Sequence, residues 1–270
     1  MTKISRQRFN NVFFKSKGSA LFRGRNIIIL ALLMTCMSFT WLLQHKTTIY
    51  MIGDSTMADK AVRAYPETGW GMPFHYMFDS TVVVDNRAQN GRSTSTFIAE
   101  GRWKDVLKTL SKGDYVFIEF GHNDEVPTKR SYTPAPQFVA NLKTFIQDTR
   151  EKGATPVLLT PVARRHFDSS GRLIDTHPVY GPLVIKTARE EQVDLIDLEK
   201  LSMDLLKKMG PETSKLLYNQ LEPGEHPHYP KGVHDDTHFN ELGARKMAEM
   251  VLHQLVELQL PIAQHLSPKR

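Results

Sequence analysis

Ser55 is the first residue of the 270-residue chain whose position suggests covalent chemistry. It follows Gly53 and Asp54 directly after an apolar segment, which places a hydroxyl at the end of a predicted strand. A serine hydroxyl becomes a good nucleophile when an adjacent base removes its proton, and histidine commonly serves as that base. The Gly-Asp-Ser tripeptide is a weak signal by itself, because Ser55 could equally cap a helix.

The base and its partner are predicted near the other end of the chain, in the segment Asp235-Asp236-Thr237-His238. Asp235 lies three residues before His238, so its carboxylate could accept the Nδ1 proton and leave Nε2 to accept the proton of Ser55. Asp236 is the competing partner, but the Asp-x-x-His spacing favours Asp235. The alternative for both residues is structural, with His238 at a helix start and Asp235 in a loop.

Attack on an ester carbonyl also requires hydrogen-bond donors for the negative charge that develops on its oxygen. The candidate donors are the backbone amides of Ser55 and Gly91 and the side-chain amide of Asn123. Glycine allows the backbone to approach closely, and asparagine donates without adding charge. Gly91 and Asn123 could each be ordinary turn residues, but that explanation weakens when both accompany a serine and a histidine.

A cluster of histidines raises a metal-dependent alternative, and its members are His226, His228, His234 and His238. The spacing of the last two is that of the H-E-x-x-H zinc helix. The glutamate after the first histidine is missing, however, and the preceding proline and glycine residues disfavour a helix. The sequence also lacks a G-x-S-x-G elbow around Ser55, a Walker A loop and a G-x-G-x-x-G fingerprint. We therefore predict no metal and no cofactor.

Apolar runs that alternate with amphipathic segments predict the elements that hold these residues. The predicted strands are residues 48–52, 82–85, 115–120, 156–160 and 193–196. The predicted helices are residues 97–110, 138–150, 198–209 and 242–255, the last with Asn240 as its N-cap. This alternation predicts a five-stranded parallel sheet in a three-layer α/β/α sandwich, and residues 218–237 are expected to form an ordered loop.

The first three predicted strands run into Ser55, Gly91 and Asn123 respectively. In an open parallel sheet, functional residues collect at the carboxyl ends of the strands. We therefore expect three positions from distant parts of the sequence to meet at one edge of the sheet.

The charge of the chain is concentrated near its beginning. Residues 1–46 contain eight of the 35 lysines and arginines and no aspartate or glutamate, so the remainder carries 27 basic against 29 acidic residues. That near balance argues against a nucleic-acid partner for the folded part.

The 17-residue stretch Ile27–Leu43 has no charged residue and follows the basic segment. This pattern is typical of a signal peptide or a signal anchor, with cleavage favoured, and predicts periplasmic or secreted localisation with membrane contact only through this segment. The single cysteine, Cys36, lies inside it, so no intramolecular disulfide can form. The expected division is a leader at 1–46, a catalytic domain at 47–262 and a tail at 263–270.

Four short motifs of the chain resemble those of the SGNH hydrolase superfamily of GDSL-like esterases. They are Gly53-Asp54-Ser55, Gly91, Gly121-x-Asn123-Asp124 and Asp235-x-x-His238. The resemblance implies a flavodoxin-like fold. It also implies that Ser55 is the nucleophile, His238 the base and Asp235 its orienting carboxylate, with Ser55, Gly91 and Asn123 as oxyanion donors.

Further motifs between residues 48 and 255 resemble rhamnogalacturonan acetylesterases, among them Gly69-Trp70-Gly71, Asn90-Gly91-Arg92-Ser93, Glu100-Gly101-Arg102-Trp103, Phe120-Gly121-His122-Asn123-Asp124 and Asp236-Thr237-His238-Phe239. This resemblance implies an exported enzyme that removes acetyl groups from acetylated pectic polysaccharide through an acetyl–serine intermediate. A lipase or thioesterase, a xylan-directed esterase, an acetyl transferase and a non-catalytic glycan-binding protein remain alternatives.

Four residues are candidates for contact with such a substrate. Trp70 could stack on a sugar face or fill the core beneath the first helix. Arg92 and the pair Arg164-Arg165 could bind the carboxylates of uronic acids, which arginine recognises through two parallel hydrogen bonds. The alternative for the pair is a solvated surface position.

Overall fold

The computed structural model describes residues 46–267. The sheet contains β1 (Thr47–Gly53), β2 (Val82–Asn86), β3 (Tyr115–Glu119), β4 (Thr155–Leu159) and β5 (Asp194–Ile196). All five strands are parallel, and their order is β2-β1-β3-β4-β5. The predicted leader with Cys36 lies outside the described residues, as does the end of the predicted tail.

The side chains of the central strands alternate between two buried layers. In β1, Ile49 and Met51 belong to one apolar cluster, whereas Tyr50 and Ile52 belong to the other. A strand buried on both faces needs apolar residues at nearly every position, which explains the continuous apolar runs of the sequence. The predicted three-layer sandwich is confirmed.

The helices divide between these two layers. They are α1 (Gly71–Phe74), α2 (Thr94–Ala99), α3 (Arg102–Thr109), α4 (Ala135–Glu151), α5 (Tyr180–Glu191), α6 (Leu198–Thr213) and α7 (Glu241–Glu257). Buried residues of α1, α6 and α7 pack with Ile49 and Met51, and those of α2 to α5 pack with Tyr50 and Ile52. Within residues 46–267, no helix combines the length and the apolar character that crossing a membrane requires.

Glycine and asparagine residues define several helix ends. Asn240 caps α7 as predicted, because its side chain accepts a hydrogen bond from the Gly243 amide at 3.1 Å. The predicted helix at 97–110 is instead two helices, since Gly101 adopts a left-handed φ of 74° between α2 and α3. Ser93 caps the first of them, and a kink at Gly210 lies near the end of α6.

The segment predicted as a loop at 218–237 contains two antiparallel strands, β6 (Tyr218–Leu221) and β7 (Val233–Phe239). The prediction was wrong for these residues because β7 is rich in polar side chains and lacks the alternation of apolar residues that identifies a strand. The same strand carries Asp235 and His238, so both lie in a paired strand instead of a loop or a helix start.

The order of the strands creates a crevice at the carboxyl ends of β1 and β3. The chain passes from β1 to β2 on one side, then returns across β1 to β3 on the other. Gly53 at the end of β1 pairs with Glu119 at the end of β3, so the two strands finish level with each other. Ligands in open α/β sheets bind where the strand order reverses in this way.

Candidate active site

Ser55 stands in the turn that follows β1. The turn is closed by a hydrogen bond of 3.0 Å from the Ala58 amide to the Asp54 carbonyl. Gly53 is required just before it, since a Cβ there would lie 2.7 Å from the carbonyl oxygen of Glu119. The close approach of the two backbones therefore places Ser55 at the edge of the sheet.

The side chains of Ser55, His238 and Asp235 form a continuous chain of hydrogen bonds. His238 Nε2 lies 2.8 Å from Ser55 Oγ, and His238 Nδ1 lies 2.7 Å from Asp235 Oδ2. A carboxylate can only accept, so Nδ1 donates to Asp235. In a neutral imidazole, Nε2 is then the acceptor and faces the Ser55 hydroxyl.

Asp235 is itself held by the backbone. Its Oδ1 accepts hydrogen bonds from the amides of Thr237 at 2.8 Å and His238 at 2.9 Å. Burial raises the pKa of Asp235, but the hydrogen bond to His238 and these two amides outweigh it and hold the pKa below its ordinary value. The competing residue, Asp236, instead pairs with Arg165 at 2.6 Å.

A cavity of about 430 Å³ opens in front of Ser55. Its lining residues are Ser55, Glu67, Asn90, Gly91, His122, Asn123, Lys129, Arg164, Thr237 and His238. The structure therefore brings Ser55, Gly91, Asn123 and His238 together, as the sequence predicted.

Asn123 is oriented by two neighbours with opposite hydrogen-bonding capacity. Its Nδ2 donates to the Arg92 carbonyl at 3.0 Å, and its Oδ1 accepts from Lys129 Nζ at 3.1 Å. An ammonium can only donate and a carbonyl can only accept, so the orientation of the amide is fixed. The bond to Arg92 uses one of the two Nδ2 protons. Gly91, with a φ of 75°, supplies a backbone amide from a left-handed turn.

Two buried carboxylates lie beneath the Ser55 turn. Glu119 accepts hydrogen bonds from Trp70 Nε1 at 2.8 Å, the Val162 amide at 3.1 Å and Thr56 Oγ1 at 3.2 Å. Asp54 accepts from the Thr56 amide at 3.0 Å. Burial is the main reason that the pKa values of both carboxyl groups are raised.

The prediction that Trp70 contacts substrate was wrong. The Trp70 side chain is fully buried and donates to Glu119 beneath the turn. The ring also packs edge-on against Phe74 with centroids 5.7 Å apart. Trp70 therefore fills the core, which was the alternative for this residue.

The three predicted arginines occupy different environments. Arg92 pairs with Glu100 at 3.0 Å beside the cavity in front of Ser55. Arg164 lines that cavity but pairs with Glu125 at 2.6 Å and donates to the His122 carbonyl at 3.1 Å.

The prediction of substrate contact was wrong for Arg165. Its side chain is only 10% exposed, and it donates to the Pro211 carbonyl and to Asp236, both at 2.6 Å. These bonds attach the loop after β4 to the end of α6 and to β7, so the guanidinium serves the fold.

The four histidines that raised the metal-dependent alternative make separate contacts with other residues. His226 and His228 pack edge to face with ring centroids 5.1 Å apart, and His234 bonds to Gln220. His238 is engaged by Ser55 and Asp235. Over residues 46–267, no group of three or more histidine, cysteine or acidic side chains is arranged to hold a metal ion.

Sequence reasoning missed several residues at this site. His122 lines the cavity, and burial lowers its pKa well below the ordinary value, so its ring is neutral. Lys129 and Glu67 come from loops whose sequence gives no signal of a role in the site. Glu119 did carry a signal, since an acidic residue inside the apolar run YVFIEF requires buried partners.

An open parallel α/β sheet with a hydroxyl, an imidazole and a carboxylate linked at its carboxyl edge is an arrangement found in serine-dependent hydrolases. The chain belongs to the GDSL-like lipase/acylhydrolase family, whose model matches residues 51–246. It is thus an ester hydrolase, as the sequence motifs predicted.

Individual relatives agree with this family. Rhamnogalacturonan acetylesterase RhgT of Bacillus subtilis is 41% identical over 81% of this chain and 93% of its own length. The crystal structure of YxiM from Bacillus subtilis superimposes with a TM-score of 0.69 at 28% identity, over 80% of this chain and 58% of that one. Axe2, an acetylxylan esterase from Geobacillus stearothermophilus, has the same fold, with a TM-score of 0.55 at 18% identity over 79% of this chain and 96% of its own. The predicted resemblance to rhamnogalacturonan acetylesterases is confirmed.

Proposed function

We propose that this protein removes acetyl groups from an acetylated pectic polysaccharide of the rhamnogalacturonan type, with Ser55 as nucleophile. The observation that carries the proposal is the chain of hydrogen bonds from Asp235 through His238 to Ser55, with distances of 2.7 and 2.8 Å. The substrate class rests on the 41%-identical relative, whose name states that substrate.

In the first half of the reaction, Ser55 Oγ attacks the acetyl carbonyl while His238 Nε2 accepts the hydroxyl proton. The carbonyl oxygen becomes an oxyanion, which accepts hydrogen bonds from the amides of Ser55 and Gly91 and from Asn123 Nδ2. When the carbon–oxygen bond to the sugar breaks, His238 returns its proton to the sugar oxygen. The acetyl group is then bound to Ser55 as an ester.

In the second half, His238 removes a proton from a water molecule, which attacks the acetyl–Ser55 carbonyl. A second oxyanion forms in the same place and collapses with release of acetic acid, which ionises to acetate in solution, and the proton on His238 returns to Ser55 Oγ. Asp235 keeps its negative charge throughout and stabilises the imidazolium that forms in each half. Its lowered pKa supports this role.

The test is the substitution Ser55→Ala, which removes the attacking oxygen and little else. We expect the release of acetate from 4-nitrophenyl acetate and from acetylated rhamnogalacturonan to fall by at least about 10³-fold. Circular dichroism and the melting temperature should stay close to those of the wild type, because the hydroxyl is only half-buried. A variant with near wild-type turnover would eliminate Ser55 as the nucleophile.

A further inference from the structure

A second cavity adjoins the catalytic one and shares Gly91 and Lys129 with it. Its volume is about 550 Å³, and its lining residues are Gly91, Arg92, Thr96, Ala99, Glu100, Lys129, Arg130 and Ser131. Because Gly91 and Lys129 border both cavities, the two lie side by side. A polymer whose acetyl group lies at Ser55 would extend a neighbouring part into this space.

The acidic residue of this second cavity is already neutralised. Glu100 forms ion pairs with Arg102 at 2.7 Å and with Arg92 at 3.0 Å. The hydrogen bonds from Arg102 and then Arg92 hold the pKa of Glu100 below its ordinary value, so it is ionised at neutral pH. Glu100 is therefore committed to those two arginines and leaves the other cations of the cavity uncompensated.

Those other cations are Lys129 and Arg130. Neither forms an ion pair with an aspartate or glutamate within residues 46–267. Lys129 donates to the neutral oxygen of Asn123 at 3.1 Å, which leaves its positive charge unbalanced. Arg130 is exposed at the edge of the cavity, where its guanidinium is available to a ligand.

We propose that this second cavity is a subsite for the carboxylate of an acidic sugar of the substrate, bound by Arg130 and Lys129. A guanidinium binds a carboxylate through two parallel hydrogen bonds, and an ammonium adds a compact charge. The proposal rests on the proposed function, because that function places a uronic-acid polymer in the adjoining cavity. Lys129 also donates a hydrogen bond to Asn123, so the same ammonium group contacts both the bound carboxylate and the side chain that serves as oxyanion donor.

The test compares two substitutions that change the net charge equally, Arg130→Glu in the cavity and Lys112→Glu outside it. Lys112 is an exposed residue just before β3, at the opposite edge of the sheet from Ser55. The substrates are an acetylated rhamnogalacturonan oligosaccharide and the same oligosaccharide with its carboxyl groups reduced to alcohols. The measured quantity is the ratio of kcat/KM for the acidic substrate to kcat/KM for the reduced one.

We expect Arg130→Glu to lower this ratio about tenfold or more, whereas Lys112→Glu leaves it at the wild-type value. Raising the salt concentration should lower the wild-type ratio, because exposed ion pairs are screened over about 10 Å at 0.1 M salt. An equal ratio in the two variants would overturn the subsite while leaving the esterase function intact. Arg130→Gln, which removes the charge without reversing it, should give a smaller change in the same direction.

Direct binding separates the subsite from catalysis. Isothermal titration of a deacetylated oligogalacturonide should show binding to the wild type and to Lys112→Glu, and at least about tenfold weaker binding to Arg130→Glu. If acetate is released from neither substrate but this binding difference is found, the proposed function fails and the acidic subsite stands. Equal affinity for all three proteins would refute the subsite.

Discussion

Ser55 and His238 are separated by 183 positions in the chain, and their side chains lie within hydrogen-bonding distance at 2.8 Å. Asp235 fixes the imidazole from the other side and is itself fixed by two backbone amides. The imidazole of His238 is thus held at both of its ring nitrogens. This arrangement is prepared before substrate binds, as efficient acyl transfer requires.

Asp235→Asn should therefore impair turnover much more than Asp236→Asn. An amide at position 235 can present its NH₂ group to His238 Nδ1, which favours the tautomer with the proton on Nε2, facing Ser55. We expect kcat on 4-nitrophenyl acetate to fall about 10³- to 10⁴-fold for Asp235→Asn. Asp236 contacts Arg165 and Gln220, so Asp236→Asn should retain kcat within about threefold. Steady-state kinetics of both variants measure this, and the reverse order would transfer the orienting role to Asp236.

At the scale of elements, Asp124 joins the end of β3 to the start of α2. Its Oδ1 accepts hydrogen bonds from the Thr94 amide at 2.9 Å and from Thr94 Oγ1 at 2.6 Å. The carboxyl group is fully buried, and this burial raises its pKa to about 7 against the downward effect of the Thr94 bonds. The strand that ends near Asn123 and the helix that begins near Gly91 are thus connected through one titratable group.

This group should make the folded protein less stable as the pH rises. The pKa of Asp124 is raised from 3.8 in the unfolded chain to about 7 in the folded one. The folded state therefore binds the proton more tightly, and the associated stability is complete below about pH 4 and is lost progressively up to about pH 7. The total loss, which is complete at about pH 7, is at most about 4 kcal/mol, at about 1.4 kcal/mol per pKa unit.

Asp124→Asn removes the titration and keeps an oxygen acceptor for Thr94. Relative to this variant, the wild type should lose free energy of unfolding between pH 4 and 7 and then remain level up to pH 9. Urea unfolding of both proteins across this pH range measures the difference, with Glu222→Gln, which changes an exposed carboxylate, as the control. A difference that is independent of pH would show that the pKa of Asp124 is the same in the folded and unfolded states.

At the scale of the whole molecule, the sheet supplies two buried layers and one polar edge. The described residues that line the catalytic cavity are polar, charged or glycine, whereas the buried apolar side chains pack in the two layers. A cavity of this composition offers hydrogen bonds to sugar hydroxyls. It offers little to a long hydrocarbon chain, which gains affinity at about 0.8 kcal/mol for each buried CH₂ group.

Short acyl groups should accordingly be preferred over long ones. We expect kcat/KM for 4-nitrophenyl acetate to exceed that for 4-nitrophenyl octanoate by at least about tenfold, because no described apolar side chain lines the catalytic cavity for the added methylene groups to pack against. Initial rates across an acetate-to-octanoate series, measured below micelle-forming concentrations, test this. A rise in kcat/KM with chain length would favour the lipase alternative.

The sequence by itself determined the class of fold, the four motifs and the family. Strands buried on both faces leave a continuous apolar signature, and the residues directly after such strands mark the functional edge, so Ser55, Gly91 and Asn123 could be placed from local patterns alone. The export signal, and with it the division into leader, domain and tail, remains a prediction from the first 46 residues.

Only the tertiary structure showed which side chains of suitable chemistry are free to contact a substrate and which are bound within the fold. Trp70 and Arg165 had the right residue types for substrate contact, but Glu119 and Asp236, which lie far away in sequence, draw them into the fold. Lys129 and Arg130 have no distinguishing local pattern, and their importance arises from a cavity formed by two separate segments of the chain. Local sequence encodes which side chains are buried along one element. Which side chains face each other across a crevice depends on how elements that are distant in sequence pack together. The contacts that set this packing join different segments, so no single segment reveals them.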